Sequence, residues 1–196
     1  MKLNTHQSYS TPIGTFELED SDDLNKGLVE FLYDIKKTDK SLGRSMTGDH
    51  GWHSPEDLLH RDNLFIKEFH KQISGVVFEY YWKKFEDAYM TSWGMIYGPG
   101  AYSRDHVHPG SDLSIAYYCK VPKDLCNVEG MFCFNDPRPQ ARWDRCFDLP
   151  AGIIDPREGV GVIFPSWLDH YVNPHSKDGD RICISTNVSL EHGRYE

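Results

Sequence analysis

The spacing of apolar residues predicts two amphipathic helices in the first half of the chain. Apolar side chains recur every three to four positions over residues 22–37, with Ser21 as the N-cap and acidic residues in the first turn. The same spacing predicts a second helix over residues 63–85, capped by Asp62 or Asn63. Because each helix has one apolar face, both are expected to support a sheet.

The segment between these helices has a different composition. Residues 38–61 are rich in Gly, Ser, Asp and His, which predicts a loop. This loop either extends over an active site or is a surface loop anchored by one tryptophan. The side chains that could reach such a site are Arg44, Trp52, His53 and His60.

The pattern changes near Tyr89, where short apolar segments begin to alternate with turns rich in Gly, Pro and Asp. This alternation is typical of the strands of an all-β sandwich or barrel. Residues 11–20 also resemble a short strand. The later predicted strands lie within 91–97, 111–121, 130–134, 159–165, 170–174 and 181–190.

The chain has 196 residues, of which 39% are hydrophobic and 13% aromatic, enough for one domain with a core. We expect a single domain over 1–196, in which a helical support and loop region (1–88) packs on a β core (89–190). The net charge of −9 argues against a broad surface for nucleic acid or anionic membranes.

Cellular location is also predicted from composition. No apolar run reaches the ~20 residues needed to span a bilayer, and the first twelve residues lack the apolar core of a signal peptide. The five cysteines are odd in number and form no CxxC motif, which favours reduced thiols. We therefore expect a cytoplasmic protein without a membrane partner, and leave a homodimer open.

Histidines carry the first chemical signal. His106 and His108 are two positions apart, so on a strand their imidazoles face the same side and can bind one metal ion. Asp112 either adds a carboxylate ligand or serves as a turn residue. His170 begins a strand after a tight turn and can face the mouth of a barrel, whereas His175 is expected to face solvent.

The last predicted strand carries a second signal. Its alternation places Arg181, Cys183, Ser185 and Asn187 on one face and apolar residues on the other. An arginine on the inner face of a barrel is an uncompensated charge unless it meets an anion. A carboxylate bound bidentately is a natural partner, and a structural Asp or Glu is the alternative.

These segments together resemble the 2-oxoglutarate/Fe(II)-dependent oxygenase superfamily. More narrowly, they are similar to a poorly characterised bacterial and phage subgroup, and the similarity extends over nearly the whole chain. The resemblance implies a double-stranded β-helix, a jelly-roll, cupin-like barrel buttressed by the two N-terminal helices. The segments that carry it read HVHPGSDLSIAYY, FNDPR, FPSWLDHYVNP and RICISTN.

The resemblance also implies roles for individual residues. His106 and His170 take the places of the two histidine ligands of Fe(II), and Arg181 that of the residue binding the distal carboxylate of 2-oxoglutarate. Tyr97 and Tyr118 are implied to hydrogen-bond that same carboxylate. Ser114 and Ser185 are weaker candidates for the pocket wall. No catalytic residue is implied beyond the metal ligands.

The implied reaction is a hydroxylase-type oxidation. Fe(II), 2-oxoglutarate and O2 would together couple the oxidative decarboxylation of 2-oxoglutarate to the oxidation of a substrate. The substrate class remains open between a small molecule and a peptide side chain such as that of proline. The candidate rim of its pocket consists of Trp52, Trp93, Trp143, Trp167 and the turn 136–138.

The sequence departs from the superfamily pattern at two positions. His108 stands where a carboxylate ligand is usual, so three sets remain open: three histidines, two histidines with water, or a set that recruits Asp112. Cys183 stands where a serine is expected, and a thiol is a weaker hydrogen-bond donor.

Two other functions remain open. A cupin-type metal protein that does not use 2-oxoglutarate would take His106, His108, Asp112 and His170 as ligands. That reading gives Arg181 no special task. A non-enzymatic binding module with a degenerate site is the third reading, supported only by the missing carboxylate.

Overall fold

Two antiparallel sheets form the frame of the fold. The structure, a computed structural model, describes residues 10–38, 51–81, 87–138 and 152–191. In chain order the strands are β1 (Gly14–Glu17), β2 (Gly51–His53), β3 (Asp87–Tyr97), β4 (Ser103–His106), β5 (Leu113–Lys120), β6 (Phe132–Phe134), β7 (Gly152–Ile154), β8 (Val160–Pro165), β9 (His170–Val172) and β10 (Arg181–Glu191).

The strands divide into a large and a small sheet. The large sheet has the order β1-β8-β5-β10-β3-β2, and the small sheet has the order β4-β9-β6-β7. Both sheets are antiparallel, and the described strands do not close into one barrel. The longest strand, β10, lies centrally and pairs with β3 from Arg181↔Tyr97 to Glu191↔Asp87.

Two helices cover the outer face of the large sheet. The first, α1, comprises Ser21–Thr38, and the second, α2, comprises Leu64–Tyr80. Asn63 caps α2, because its side-chain oxygen accepts from the backbone N–H groups of Phe65 and Ile66 at 2.9 and 3.2 Å. No described helix has the length and hydropathy that a membrane crossing requires.

The predicted end of the second helix was wrong. The apolar stripe continues past Tyr80, but Tyr81 adopts an extended backbone (φ −90°, ψ 94°) and ends α2. The N–H of Tyr81 still donates to Val77 O at 3.0 Å, so the last turn remains closed. Trp82 and Phe85, which the stripe also includes, lie outside the described residues.

Alternate residues of β10 enter different apolar cores. Ile182, Ile184 and Val188 belong to the core between the large sheet and the helices. Cys183 belongs to the core between the two sheets. The predicted alternation along this strand is therefore confirmed, and it directs the face that carries Arg181 toward the space between the sheets.

Three short strands were not predicted. β2 lies inside the predicted loop 38–61 and pairs with the end of β3, with Gly51↔Tyr97 as its first pair. β4 and β7 are edge strands of four and three residues, too short to show an alternating pattern. Arg44, expected in the same loop, lies outside the described residues.

Candidate active site

Three histidines converge where the small sheet meets the large one. His106 ends β4 and lies opposite His170, the first residue of β9. His108 follows on the next turn, which is held by a hydrogen bond from its N–H to Ser166 O at 2.9 Å. One ring nitrogen from each histidine lies within 4.8 Å of the other two.

Backbone carbonyls fix two of these rings. His106 Nδ1 lies 2.6 Å from Arg104 O, and His170 Nδ1 lies 2.8 Å from Leu168 O. Because a carbonyl oxygen can only accept, Nδ1 carries the proton in both rings. Each Nε2 therefore keeps a free lone pair, the form that binds a metal. The sequence could not name these partners, because every residue has a carbonyl.

Burial keeps two of the histidines neutral. It is the main cause that lowers the pKa of His108 to about 4 and that of His170 to about 3. Both rings are therefore uncharged at neutral pH. Neutral imidazole is the ligand form, so protons compete weakly with a metal ion at this site.

Two of the three rings are close enough to share one transition-metal ion, and the third lies beside them. His108 Nε2 and His170 Nε2 are 3.2 Å apart. Two imidazole nitrogens that each lie ~2.0–2.1 Å from one ion can be separated by at most about 4.2 Å. Three neutral nitrogens suit Fe(II), Ni(II) or Zn(II) better than the hard ions Mg²⁺ or Ca²⁺.

Asp112 does not join this cluster. Its Oδ2 accepts from Leu190 N at 2.7 Å, and its own N–H donates to Val188 O at 2.9 Å. The carboxylate therefore ties the start of β5 to the end of β10. Among the described residues, the group that could hold a metal ion consists of His106, His108 and His170.

A buried cation lies in the same cavity. Arg181 is 1% exposed, and none of its three side-chain nitrogens has a hydrogen-bond partner within the described parts of the chain. Its Cζ lies 4.9 Å from the ring centroid of Tyr118. A structural Asp or Glu, the alternative partner, is not found among the residues that the structure describes. The site thus suits a small anion.

The two predicted tyrosines lie beside this cation. Tyr97 OH is 2.7 Å from Ser103 Oγ and 2.9 Å from His53 Nε2, and burial raises its pKa to about 12. Tyr118 OH is buried and has no hydrogen-bond partner among the described residues. Burial also raises its pKa, although the charge of Arg181 opposes this. Both hydroxyls are therefore protonated donors at neutral pH.

One cavity of about 190 Å³ joins the histidines to the arginine. The predicted residues His106, His108, His170, Arg181 and Ser185 all line it. Tyr97, Tyr118 and Ser114 are not part of its lining. The lining residues that could not be singled out from the sequence include Glu56, Met95, Ser103, Phe132 and Val172.

Ser114 does not line the cavity but contacts a residue that does. Its Oγ bonds to Ser166 Oγ at 2.8 Å and to Asn187 Oδ1 at 3.2 Å. Asn187 lines the cavity together with Arg181, on the face of β10 that the alternation assigned to both. Ser103 could not be identified from the sequence, because its contact with Tyr97 forms only when the chain is folded.

The structure also places the residues expected near the rim. Trp93 and His53 line the cavity, whereas Trp52 is buried in the core beneath the helices. Trp167 is 57% exposed on the turn after β8. Trp143 lies outside the described residues.

His175 contradicts its prediction. It was expected to face solvent but is 3% exposed, and its Nε2 donates to Tyr97 O at 3.2 Å. The bond anchors the segment after β9 to the end of β3. The sequence could not show this, because the two residues are far apart along the chain.

Comparisons with known proteins point to one family. The family described as "Putative 2OG-Fe(II) oxygenase" matches residues 91–187, about half of the chain. This segment contains all three histidines and Arg181. No curated protein matches the sequence.

Solved structures share the fold at low sequence identity. A prolyl-4-hydroxylase of Pseudomonas putida is 14% identical with a TM-score of 0.64, covering 94% of both chains. A collagen prolyl hydroxylase of Paramecium bursaria Chlorella virus-1, solved with 2-oxoglutarate, is 14% identical with a TM-score of 0.63, covering 90% of this chain and 94% of that one.

A third structure extends this likeness beyond prolyl hydroxylases. The α-ketoglutarate-dependent epimerase of nogalamycin biosynthesis is 13% identical with a TM-score of 0.68, and covers 92% of this chain and 77% of that one. The predicted double-stranded β-helix with flanking helices is thereby confirmed.

Proposed function

Because the chain belongs to the 2-oxoglutarate/Fe(II)-dependent oxygenase superfamily, we propose that Fe(II) binds its three histidines and 2-oxoglutarate its buried arginine. The protein is an oxidoreductase of this superfamily. One observation carries the proposal for its site. A single cavity holds three convergent imidazoles and a buried guanidinium whose nitrogens have no partner among the described residues.

Each side of the cavity has its own task. His106, His108 and His170 hold the metal ion through their Nε2 atoms. Arg181 binds the distal carboxylate of 2-oxoglutarate, and the ring of Tyr118, behind the cavity lining, packs against the guanidinium. When bound, Fe(II) and 2-oxoglutarate with O2 supply the oxidising chemistry, while the protein positions the groups and excludes water.

We propose His108 as the third protein ligand. Its Nε2 lies 3.2 Å from that of His170, whereas Asp112 is engaged with the backbone of β10. Three neutral ligands leave the full charge of the ion in place, and the dianionic 2-oxoglutarate then neutralises it. Electrostatic attraction to the co-substrate is therefore stronger than in a site with a carboxylate ligand.

Tyr97 positions the pocket and does not line it. Its hydroxyl joins Ser103 of β4 to His53 of β2, so it links the edges of both sheets beside Arg181. Ser185 contributes to the wall, and Ser114 supports the wall through Asn187. Cys183 adds a buried, neutral thiol, because burial raises its pKa to about 11.

The size of the cavity limits how much of a substrate can enter it. Its volume of about 190 Å³ is below the ~300 Å³ at which pockets for drug-sized ligands begin. Once 2-oxoglutarate is bound, little space remains inside. We propose that the substrate stays largely outside and inserts one projecting group, such as the side chain of proline in a peptide. Relatives of this fold include a collagen prolyl hydroxylase, which agrees with this substrate class.

We further propose that the protein works in the cytoplasm and without nucleic acid. Four of its cysteines, Cys119, Cys126, Cys133 and Cys183, are free thiols, as a reducing compartment favours. The net charge of −9 opposes a nucleic-acid partner.

The cupin-type alternative is less well supported, since it requires Asp112 as a ligand and leaves Arg181 unexplained.

The test is the uncoupled turnover of 2-oxoglutarate. Purified protein with Fe(II) and ascorbate should form succinate slowly without a substrate. His170→Ala and Arg181→Met should abolish it. Asp112→Asn is the matched control, because it alters a nearby acidic residue outside the histidine cluster and should retain the activity. No succinate from the wild type, together with no 2-oxoglutarate binding by calorimetry, would reject the proposal.

A further inference from the structure

One asparagine connects the two strands that carry His106 and His170. The side-chain nitrogen of Asn135 donates to Asp105 Oδ1 at 2.7 Å and to Asp169 Oδ2 at 2.9 Å. Asp105 directly precedes His106 in β4, and Asp169 directly precedes His170 in β9. The backbone N–H of Asn135 also donates to Asp169 O at 2.9 Å.

The two strands have few other connections at this point. β4 and β9 pair only through Ser103↔Val172 and His106↔His170, and the register shifts between these pairs. β4 is also an edge strand of the small sheet, so it has no neighbour on its other side among the described strands. The pairing of β4 with β9 is therefore too sparse to fix the position of His106 firmly by itself.

The chemistry of the asparagine matches this task. A side-chain amide nitrogen has two hydrogens, and Asn135 uses both, one for each carboxylate. Hydrogen bonds to carboxylates are roughly twice as strong as bonds between neutral groups. The amide also holds together two like charges that would otherwise push the strands apart. Asn135 follows β6, which pairs with β9, so its own backbone is already anchored.

We propose that Asn135 is a positioning residue of the metal centre, which sets the separation of His106 and His170 by joining Asp105 to Asp169. The two rings lie 4.2 Å apart between centroids, so a small shift of β4 changes the distance between their Nε2 atoms. This inference rests on the proposed metal site. Loss of a hydrogen bond made directly to a metal ligand typically lowers metal affinity 10- to 100-fold, and Asn135 acts one residue away from each ligand, so we expect the lower end of that range.

Binding of Co(II), measured by titration in its visible absorption, tests the proposal. Asn135→Ala should weaken Co(II) binding about 10-fold and change the absorption spectrum, which reports the ligand geometry. Asn173→Ala is the matched control. It removes an amide at the other end of β9, where Asn173 Nδ2 donates to Cys133 Sγ at 3.5 Å, and should leave affinity and spectrum unchanged.

A second variant separates a loss of positioning from a loss of folding. Asp105→Ala changes an exposed residue and removes only the β4 half of the connection, so it should weaken Co(II) binding with little effect on the melting temperature of the metal-free protein. Wild-type affinity and spectrum in both Asn135→Ala and Asp105→Ala would overturn the role of Asn135 while the metal site stands. A wild type that binds no Co(II) would overturn the metal site and this inference together.

Discussion

Replacing Arg181 by methionine should stabilise the metal-free protein and at the same time remove 2-oxoglutarate binding. The guanidinium is 1% exposed, and its three nitrogens lack hydrogen-bond partners in the described structure. Replacing buried ionic groups by apolar residues of similar volume often stabilises a protein by ~1–4 kcal/mol. The contact with the Tyr118 ring offsets part of this gain, by about 1–2 kcal/mol.

The two effects have opposite signs and can be measured separately. A net gain of about 1–2 kcal/mol should raise the melting temperature of the metal-free protein by roughly 3 °C per kcal/mol, since the chain has 196 residues. Loss of a buried charged partner costs the complex about 2–5 kcal/mol, which corresponds to an affinity for 2-oxoglutarate about 30- to 5,000-fold weaker.

The assay compares melting curves with and without 2-oxoglutarate in a buffer free of phosphate and carboxylates. Ligand at 100 times its dissociation constant should stabilise the wild type by about 2.7 kcal/mol and Arg181→Met by less than about 1 kcal/mol. Arg181→Lys is the control, because it retains a charge and should retain some binding without gaining stability. An Arg181→Met protein that is less stable yet still binds 2-oxoglutarate with wild-type affinity would refute the reasoning.

Three further predictions concern the metal centre and the helices. His108→Ala should weaken Co(II) binding at least tenfold and Asp112→Asn should not; the reverse order in a titration would favour the carboxylate as the third ligand. Between pH 6.5 and 5 the metal-free protein should lose about 2 kcal/mol through His170 and a similar amount through His108, because each unfolded ring takes up a proton that the folded ring, with a pKa of about 3 or about 4, does not. Urea unfolding at both pH values measures this loss, and an equal loss in His170→Gln would exclude His170 as its cause. Asn63→Ala should lower the stability by about 1 kcal/mol through the lost cap of α2, and an unchanged urea midpoint would contradict that role.

Features set by local periodicity could be predicted from the sequence. The alternation of Arg181 and Cys183 with Ile182 and Ile184 in β10 identified the face of the strand that lines the cavity. The helices were predicted because their apolar residues repeat at helical spacing. The end of α2 was missed because the apolar stripe continues beyond Tyr81, where the backbone turns away.

Features that depend on contacts between distant segments could not be predicted. β2 and β4 are strands because neighbouring strands pair with them, and neither shows an alternating pattern of its own. The burial of His175 depends on a carbonyl of β3. The connection through Asn135 joins three segments whose residue types, taken singly, are typical of turns.

The two faces of β10 belong to different cores, and this affects how the protein can evolve. Substitutions at 181, 183, 185 and 187 alter the cavity, whereas those at 182, 184 and 188 alter the support beneath the helices. Residues without shared partners usually contribute additively to stability. A lineage could therefore exchange the anion or the substrate it accepts, one cavity-facing residue at a time, while the opposite face preserves the register of the sheet.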